Sequence, residues 1–198
     1  MRGMAPRILL FAGSLRAGSF NRKLADLADR AVAAAGGEVE HISLRDYPLP
    51  IYDGDLEAEE GVPESARRLH ALFRAAQGVF IVSPEYNAGT PPVLKNAVDW
   101  VSRVREHGGM ASAFERPVFA LASASPGRFG GYRGLMALRQ SLVLQLSATV
   151  LPQMVSIAAA HEAFDETGAV KDARSAATLD KVARKLVAEA QRVEPYAG

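Results

Sequence analysis

The sequence predicts a single α/β domain, residues 1–198, with a doubly wound parallel sheet and helices on both faces. Three observations carry that expectation. Five short apolar runs alternate with segments whose apolar residues recur at helical spacing, the order that gives parallel strands under crossover helices. The third run, Gly78–Ser83, is apolar at consecutive positions, as a strand covered on both faces should be. Glycine, serine and proline collect in the loops after the first, third and fourth runs. In doubly wound sheets ligands bind beyond the carboxyl ends of the strands, so these three loops should converge on one crevice.

Taken in order, residues 7–12 read as a short buried strand stopped by Gly13. Leu24, Leu27, Ala28, Ala31, Val32 and Ala35 recur at helical spacing, and Gly36-Gly37 ends that helix. Glu38 to Leu44 supplies a second strand and completes a βαβ unit with a right-handed crossover. Arg45 to Val62 contains Pro48, Pro50, Gly54 and the acidic run Asp53–Glu60, and is expected to be a long surface loop with one turn of helix. Pro63 opens a helix that buries Leu69, Leu72, Phe73 and Ala76. After the third strand a helix carries Val93, Leu94, Ala97, Val98 and Val101, with Trp100 beside them. Arg105 to Phe114, with Gly108-Gly109, reads as a loop that is mobile near the pocket. Pro117–Ala122 is the fourth strand, followed by a helix with Leu135, Leu138, Leu142 and Leu146. A fifth strand begins at Thr149 and is expected to reach Ile157 past Pro152. Ala158–Lys171 is polar and irregular, and a last amphipathic helix uses Leu179, Val182, Ala183, Leu186 and Val187.

Composition narrows the function. With 198 residues, 48% hydrophobic and 23% charged, the chain can bury a sizeable core. A net charge of +1 argues against a nucleic-acid binder and against an acidic electron carrier. The absence of cysteine excludes disulfides, thiol chemistry and cysteine-held iron–sulfur clusters. His41, His70, His107 and His161 are scattered, so no metal site is expected. No export signal is evident and no stretch approaches the ~20 apolar residues a membrane span needs, so the cytoplasm is the expected location.

The most informative stretch is Ala12-Gly13-Ser14-Leu15-Arg16-Ala17-Gly18-Ser19-Phe20-Asn21. Its place between a strand and a helix start suits a phosphate: glycines admit the ligand to the backbone, and hydroxyls, a guanidinium and helix N-terminal amides supply donors. The loop lacks both the Gly-Lys-[Ser/Thr] ending of an ATPase phosphate loop and the Gly-x-Gly-x-x-Gly dinucleotide fingerprint.

Three segments together resemble the NADPH-dependent FMN reductases, flavodoxin-like proteins that include quinone, chromate and azo-dye reductases. They are Gly13-Ser14-Leu15-Arg16-x-x-Ser19-x-Asn21, then Pro84-Glu85-Tyr86-Asn87 with Leu94-Lys95-Asn96-Ala97-x-Asp99-Trp100, and Ser125-x-Gly127-x-x-Gly130-Gly131-x-Arg133. The resemblance covers roughly residues 7–155. It implies a flavodoxin-like three-layer sandwich with a five-stranded parallel sheet in the order 2-1-3-4-5. It places the FMN phosphate against Ser14, Arg16, Ser19 and Asn21, with Phe20 in the same loop, and sets Pro84, Glu85, Tyr86 and Asn87 along the flavin ring. Glu85 has the wrong charge to stabilise reduced flavin, so its backbone should face the ring while its carboxylate binds an arginine. Tyr86 either flanks the ring or packs against a neighbouring subunit. Ser125 and Gly127, with Ala124 beside them, contact the flavin through the backbone.

The resemblance further implies hydride transfer from NADPH or NADH to FMN, followed by electron delivery to a small-molecule acceptor such as a quinone, flavin, azo compound or chromate. No catalytic residue proper is required. It also implies a homodimer or homotetramer. Arg133 reads as an ion pair across a subunit interface in preference to a binder of the NADPH phosphate. Trp100 reads as core or interface, Lys95, Asn96 and Asp99 as braces for the start of their helix and the loop before it, and Phe129 and Tyr132 as lining of the substrate side. Gly134 departs from the alanine more usual after the arginine, at a cost of up to ~1 kcal/mol to its helix. The competing expectations are a flavodoxin-type electron carrier and an FMN-binding sensor without turnover.

Overall fold

The structure, a computed structural model, describes residues 4–196. β1 (Arg7–Ala12) leads through α1 (Phe20–Ala34) to β2 (Glu38–Ser43). α2 (Gly54–Glu60) and α3 (Glu64–Ala75) precede β3 (Gly78–Val82), and α4 (Pro92–Arg103) precedes β4 (Val118–Ala124). α5 (Tyr132–Gln140), β5 (Thr149–Val150), β6 (Val155–Ile157) and α6 (Ala173–Ala190) complete the chain. The parallel strands lie in the order β2-β1-β3-β4-β5, with β6 also paired to β4. The expected strand order is therefore observed.

Alternation along the strands splits the interior into two cores. Ile8, Leu10, Phe80, Val82, Ala120 and Ala122 face α1 and α6. Leu9, Phe11, Val79, Ile81, Phe119 and Leu121 face α3, α4 and α5. Their consecutive apolar character follows, since both faces of the sheet are dry. Trp100 is fully buried, its Nε1–H donating to the Pro50 carbonyl at 2.8 Å, so it belongs to the core. Asn96 holds the same segment: its Nδ2 donates to Pro50 O at 2.8 Å and its Oδ1 accepts the Tyr52 N–H at 2.8 Å. It thus braces the chain after β2, and not the loop before its own helix. Lys95 and Asp99 pair with each other along α4 at 2.6 Å.

Four segments differ from the sequence expectation. The acidic run forms a two-turn helix, α2, in place of a single turn. The Asp53 carboxylate caps it by accepting the Asp55 N–H at 2.8 Å, and Asp55 and Glu57 suit the positive end of its dipole. Glu57 then ties α2 down, accepting from Tyr52 Oη at 2.9 Å and Arg103 Nε at 2.8 Å.

The 105–114 loop is not beside the pocket. It packs on α3, where the buried His70 Nε2–H donates to Gly109 O at 2.8 Å and Arg67 Nε to Glu106 at 3.2 Å. Residues 111–115 form a wide, π-type turn. Burial holds the His70 imidazole below its usual pKa, consistent with a neutral ring there.

The fifth strand is broken. Thr149 faces Val118 while Val155 faces Ala122, so two extra residues are looped out around Pro152. Leu151 N–H still reaches Phe119 O at 2.8 Å, but Pro152 has no N–H to continue the ladder.

Finally, 158–171 is not irregular throughout. Residues 163–171 form a small hairpin with Phe164 opposite Val170 and the Lys171 N–H on Ala163 O at 2.9 Å. Asp165 Oδ1 closes its turn, accepting the Thr167 N–H at 2.9 Å and the Ala169 N–H at 3.0 Å.

Phe80 lies fully buried on a central strand, so Phe80→Ala should destabilise the fold by about 3–5 kcal/mol in denaturant unfolding. A loss near 1 kcal/mol would mean that the α1/α6 core collapses around the cavity.

Candidate functional site

Beyond the carboxyl ends of β1, β3 and β4 lies a cleft of about 290 Å³. It gathers Ser14, Arg16, Ser19, Phe20 and Asn21 from the first loop, Pro84, Glu85 and Tyr86 from the second, and Ala124, Ser125 and Pro126 from the third. Asn87 and Gly127 are not among its lining. Asn87 sits at the exposed tip of a tight turn, φ +50°, in which Tyr86 and Gly89 exchange N–H···O bonds of 3.2 and 2.9 Å. Gly127 turns its N–H back to Ser125 Oγ at 3.3 Å. Pro126, which sequence reasoning passed over, is distinguished there only by its place between Ser125 and Gly127. Ser14 also borders a larger cleft of about 380 Å³ between α1 and β2. That cleft contains none of the other expected residues and mixes Arg22 and His41 with Asp26 and Asp46.

The first loop runs into the N-terminus of α1. Ser19 caps α1, its Oγ accepting the Asn21 N–H at 3.2 Å, and Ser14 Oγ accepts the Arg16 N–H at 3.4 Å. The N–H groups of Ala17, Gly18 and Phe20 have no acceptor among the described residues. These donors sit at the positive end of a 15-residue helix. Arg16 makes no ion pair among the described residues, and its guanidinium lies over the Phe20 ring, 5.9 Å from the centroid. Asn21 is 3% exposed and its carboxamide is already engaged: Nδ2 donates to Ala124 O at 2.8 Å and Oδ1 accepts the Ala124 N–H at 2.9 Å. It straps the start of α1 to the end of β4 and so fixes the first loop against the third. A phosphate monoester such as that of FMN fits this donor set: two hydroxyls, an uncommitted guanidinium and free amides.

The second loop is fastened to α5. Glu85 Oε1 accepts from Arg133 Nη2 at 2.6 Å and Nε at 3.0 Å, and Oε2 accepts the Gly134 N–H at 2.9 Å. Among the described residues the partner of the Arg133 guanidinium is Glu85 of the same chain. Burial alone would raise the Glu85 carboxyl, but the Gly134 N–H and the Arg133 guanidinium outweigh it and hold it below the ordinary glutamate value. Gly134 makes the joint possible: a Cβ there would lie 2.9 Å from Glu85 Cβ and 3.0 Å from Gly89 O. The residue that looks like a weak helix former is thus required by the contact between α5 and the second loop. Gly131, at φ +85°, is equally constrained, since a Cβ would sit 1.8 Å from Ser123 Oγ. Phe129 and Tyr132 are exposed and do not line the cleft; the Arg128 and Arg133 guanidinium carbons each lie 4.7 Å from the Phe129 ring centroid.

Gly134→Ala should lower the melting temperature although alanine is the better helix former by ~1 kcal/mol. Gly54→Ala, where a Cβ meets open space, should be neutral or mildly stabilising. Equal effects at the two sites would remove the packing explanation. The depressed Glu85 value has a pH signature. Its contribution is present above the unfolded value of about 4.3 and is lost as pH falls through the lower folded-state value. Glu85→Gln should be less stable than the parent at neutral pH, and the difference should shrink as the solution is acidified. A difference that stays constant with pH would show that charge on Glu85 is irrelevant.

The profile described as NADPH-dependent FMN reductase matches residues 6–162. The chain is 37% identical over 185 residues to a quinone reductase of Escherichia coli (strain K12), with 92% of each chain covered. It is 35% identical over 185 residues to an NAD(P)H-dependent FMN reductase of Pseudomonas aeruginosa, covering 91% of this chain and 89% of that one. Among solved structures, the flavoenzyme NAD(P)H:(acceptor) oxidoreductase of Paracoccus denitrificans is similar with a TM-score of 0.78 and 26% identity, over 96% of this chain and 99% of that chain. The flavodoxin-like sheet order, the three-loop cleft and these similarities agree: the chain belongs to the NADPH-dependent FMN reductase family.

Proposed function

We propose that this chain is an FMN-dependent NAD(P)H oxidoreductase whose acceptors are quinones and related small electron acceptors. The observation that carries the reading is the first loop, where Arg16 and the N–H groups of Ala17, Gly18 and Phe20, without partners among the described residues, lie just before or at the start of α1 together with the Ser14 and Ser19 hydroxyls. Bound FMN would supply two-electron chemistry, taking hydride from NAD(P)H and giving electrons to the acceptor. The protein's own part is to bind and orient. Arg16, Ser14 and Ser19 hold the phosphate, and Pro84 and Tyr86 line the ring side of the cleft. Glu85 presents its backbone to that side because its carboxylate is turned away onto Arg133 and Gly134. Neutralising that carboxylate matters, since a bare negative charge beside a ring that must become electron-rich would oppose reduction. Ala124 and Ser125 border the same cleft and carry no bulk to block a flat ring.

The chain self-associates in this reading. Met136, Val143 and Leu144, the last 74% exposed, give the α5 side of the molecule an apolar surface suited to a second copy. Light scattering that finds only monomer at micromolar concentration would remove this part of the proposal.

Under anaerobic conditions NADPH or NADH should bleach the flavin absorbance of the FMN-loaded protein, and a quinone should restore it over many turnovers. A flavin that stays oxidised would leave a carrier or sensor. Arg16→Ala should weaken FMN binding by about 1.5–3 kcal/mol, the range for hydrogen bonds to charged groups. An unchanged dissociation constant would assign the holding to the backbone alone.

A further inference from the structure

The 163–171 hairpin contributes nothing to the cleft lining, yet it reaches the residue that opens α1. The Phe164 ring lies parallel to that of Phe20, centroids 6.4 Å apart and planes 4° apart. The Arg16 guanidinium lies over the same Phe20 ring. Phe20 and Arg16 both line the cleft. Behind this stack the hairpin is held firmly. Asp165 closes its turn and Val170 and Phe164 pack on the α1/α6 core, while three residues before the hairpin the Ala160 N–H donates to Ser125 O at 3.1 Å.

An arginine that makes no ion pair keeps much of its side-chain freedom, and ordering it on a ligand costs affinity. A ring held from behind reduces that cost by giving the guanidinium a resting place. We propose that Phe164 is a positioning residue for the phosphate end of the cleft: it fixes the Phe20 ring, and Phe20 in turn holds Arg16 over the first loop. The inference rests on the reading that this loop holds the FMN phosphate.

The test compares FMN with riboflavin, which has the same ring and no phosphate. Dissociation constants of both are measured by fluorescence quenching for the full chain and for Phe164→Ala, Phe164→Leu and Phe164→Tyr. Phe164→Ala should raise the FMN dissociation constant roughly three- to tenfold, the range for loss of an aromatic pair, and leave riboflavin within about twofold. Phe164→Leu keeps apolar bulk without a ring and should behave like alanine, which also covers the case in which the alanine variant does not fold. Phe164→Tyr should restore FMN binding. In an Arg16→Ala background the Phe164→Ala change should have little further effect on FMN, because the two act in series. Equal losses for FMN and riboflavin would make Phe164 merely part of the core and overturn the proposal, as would an unchanged FMN constant. A parent protein with no preference for FMN over riboflavin would instead overturn the phosphate reading beneath it.

Discussion

The carboxylate of Glu85 is the joint on which the cleft depends. It leaves the second loop, enters the first turn of α5, and accepts from Arg133 and from the Gly134 amide. A buried carboxylate without such partners would be costly, and a loop without such an anchor would be free to close over its own cleft. The joint also decides an identity elsewhere, since only glycine at 134 lets α5 come close enough for the bond to form. On the other side Asn21 performs the same service for the first loop, pairing with both polar groups of Ala124 as another strand would. Two polar ties therefore hold the three loops in register with the ends of β1, β3 and β4.

These ties divide the labour between rigid and uncommitted groups. Glu85 and Asn21 are spent within the protein. Among the described residues the Arg16 guanidinium and the N–H groups of Ala17, Gly18 and Phe20 have no hydrogen-bond partner. The cleft lining carries two charged side chains, Arg16 and Glu85, and the Glu85 carboxylate is paired with Arg133.

Most of the sheet was legible in the sequence. Continuous apolar runs such as Ile8–Ala12 and Gly78–Val82 leave no alternative to strands buried on both faces, and loop composition marked the edge at which to look for a ligand. What escaped was set by partners far apart in sequence. Glu85 reads as the partner of an arginine, and it is one, but nothing marks that arginine as Arg133, 48 residues away. Asn21 looks like a phosphate contact until Ala124, 103 residues on, is brought beside it. Gly134 reads as a helix defect until the second loop is seen against it. Two signals were present and underused. Asp53, at the head of the acidic run, is a helix cap, and Asp165-Glu166-Thr167-Gly168 is a turn with its own side-chain closure.

The break in the fifth strand has a consequence for how copies of this chain can meet. An unbroken edge of unpaired N–H and C=O groups invites another strand to add to the sheet. Here one edge is interrupted at Pro152, leaving two residues in β5 and three in β6. At the opposite edge β2 is continuous but carries Glu38, Glu40 and His41. Neither border offers a long apolar template for edge-to-edge growth. Open-ended extension of the sheet is thereby disfavoured at both borders.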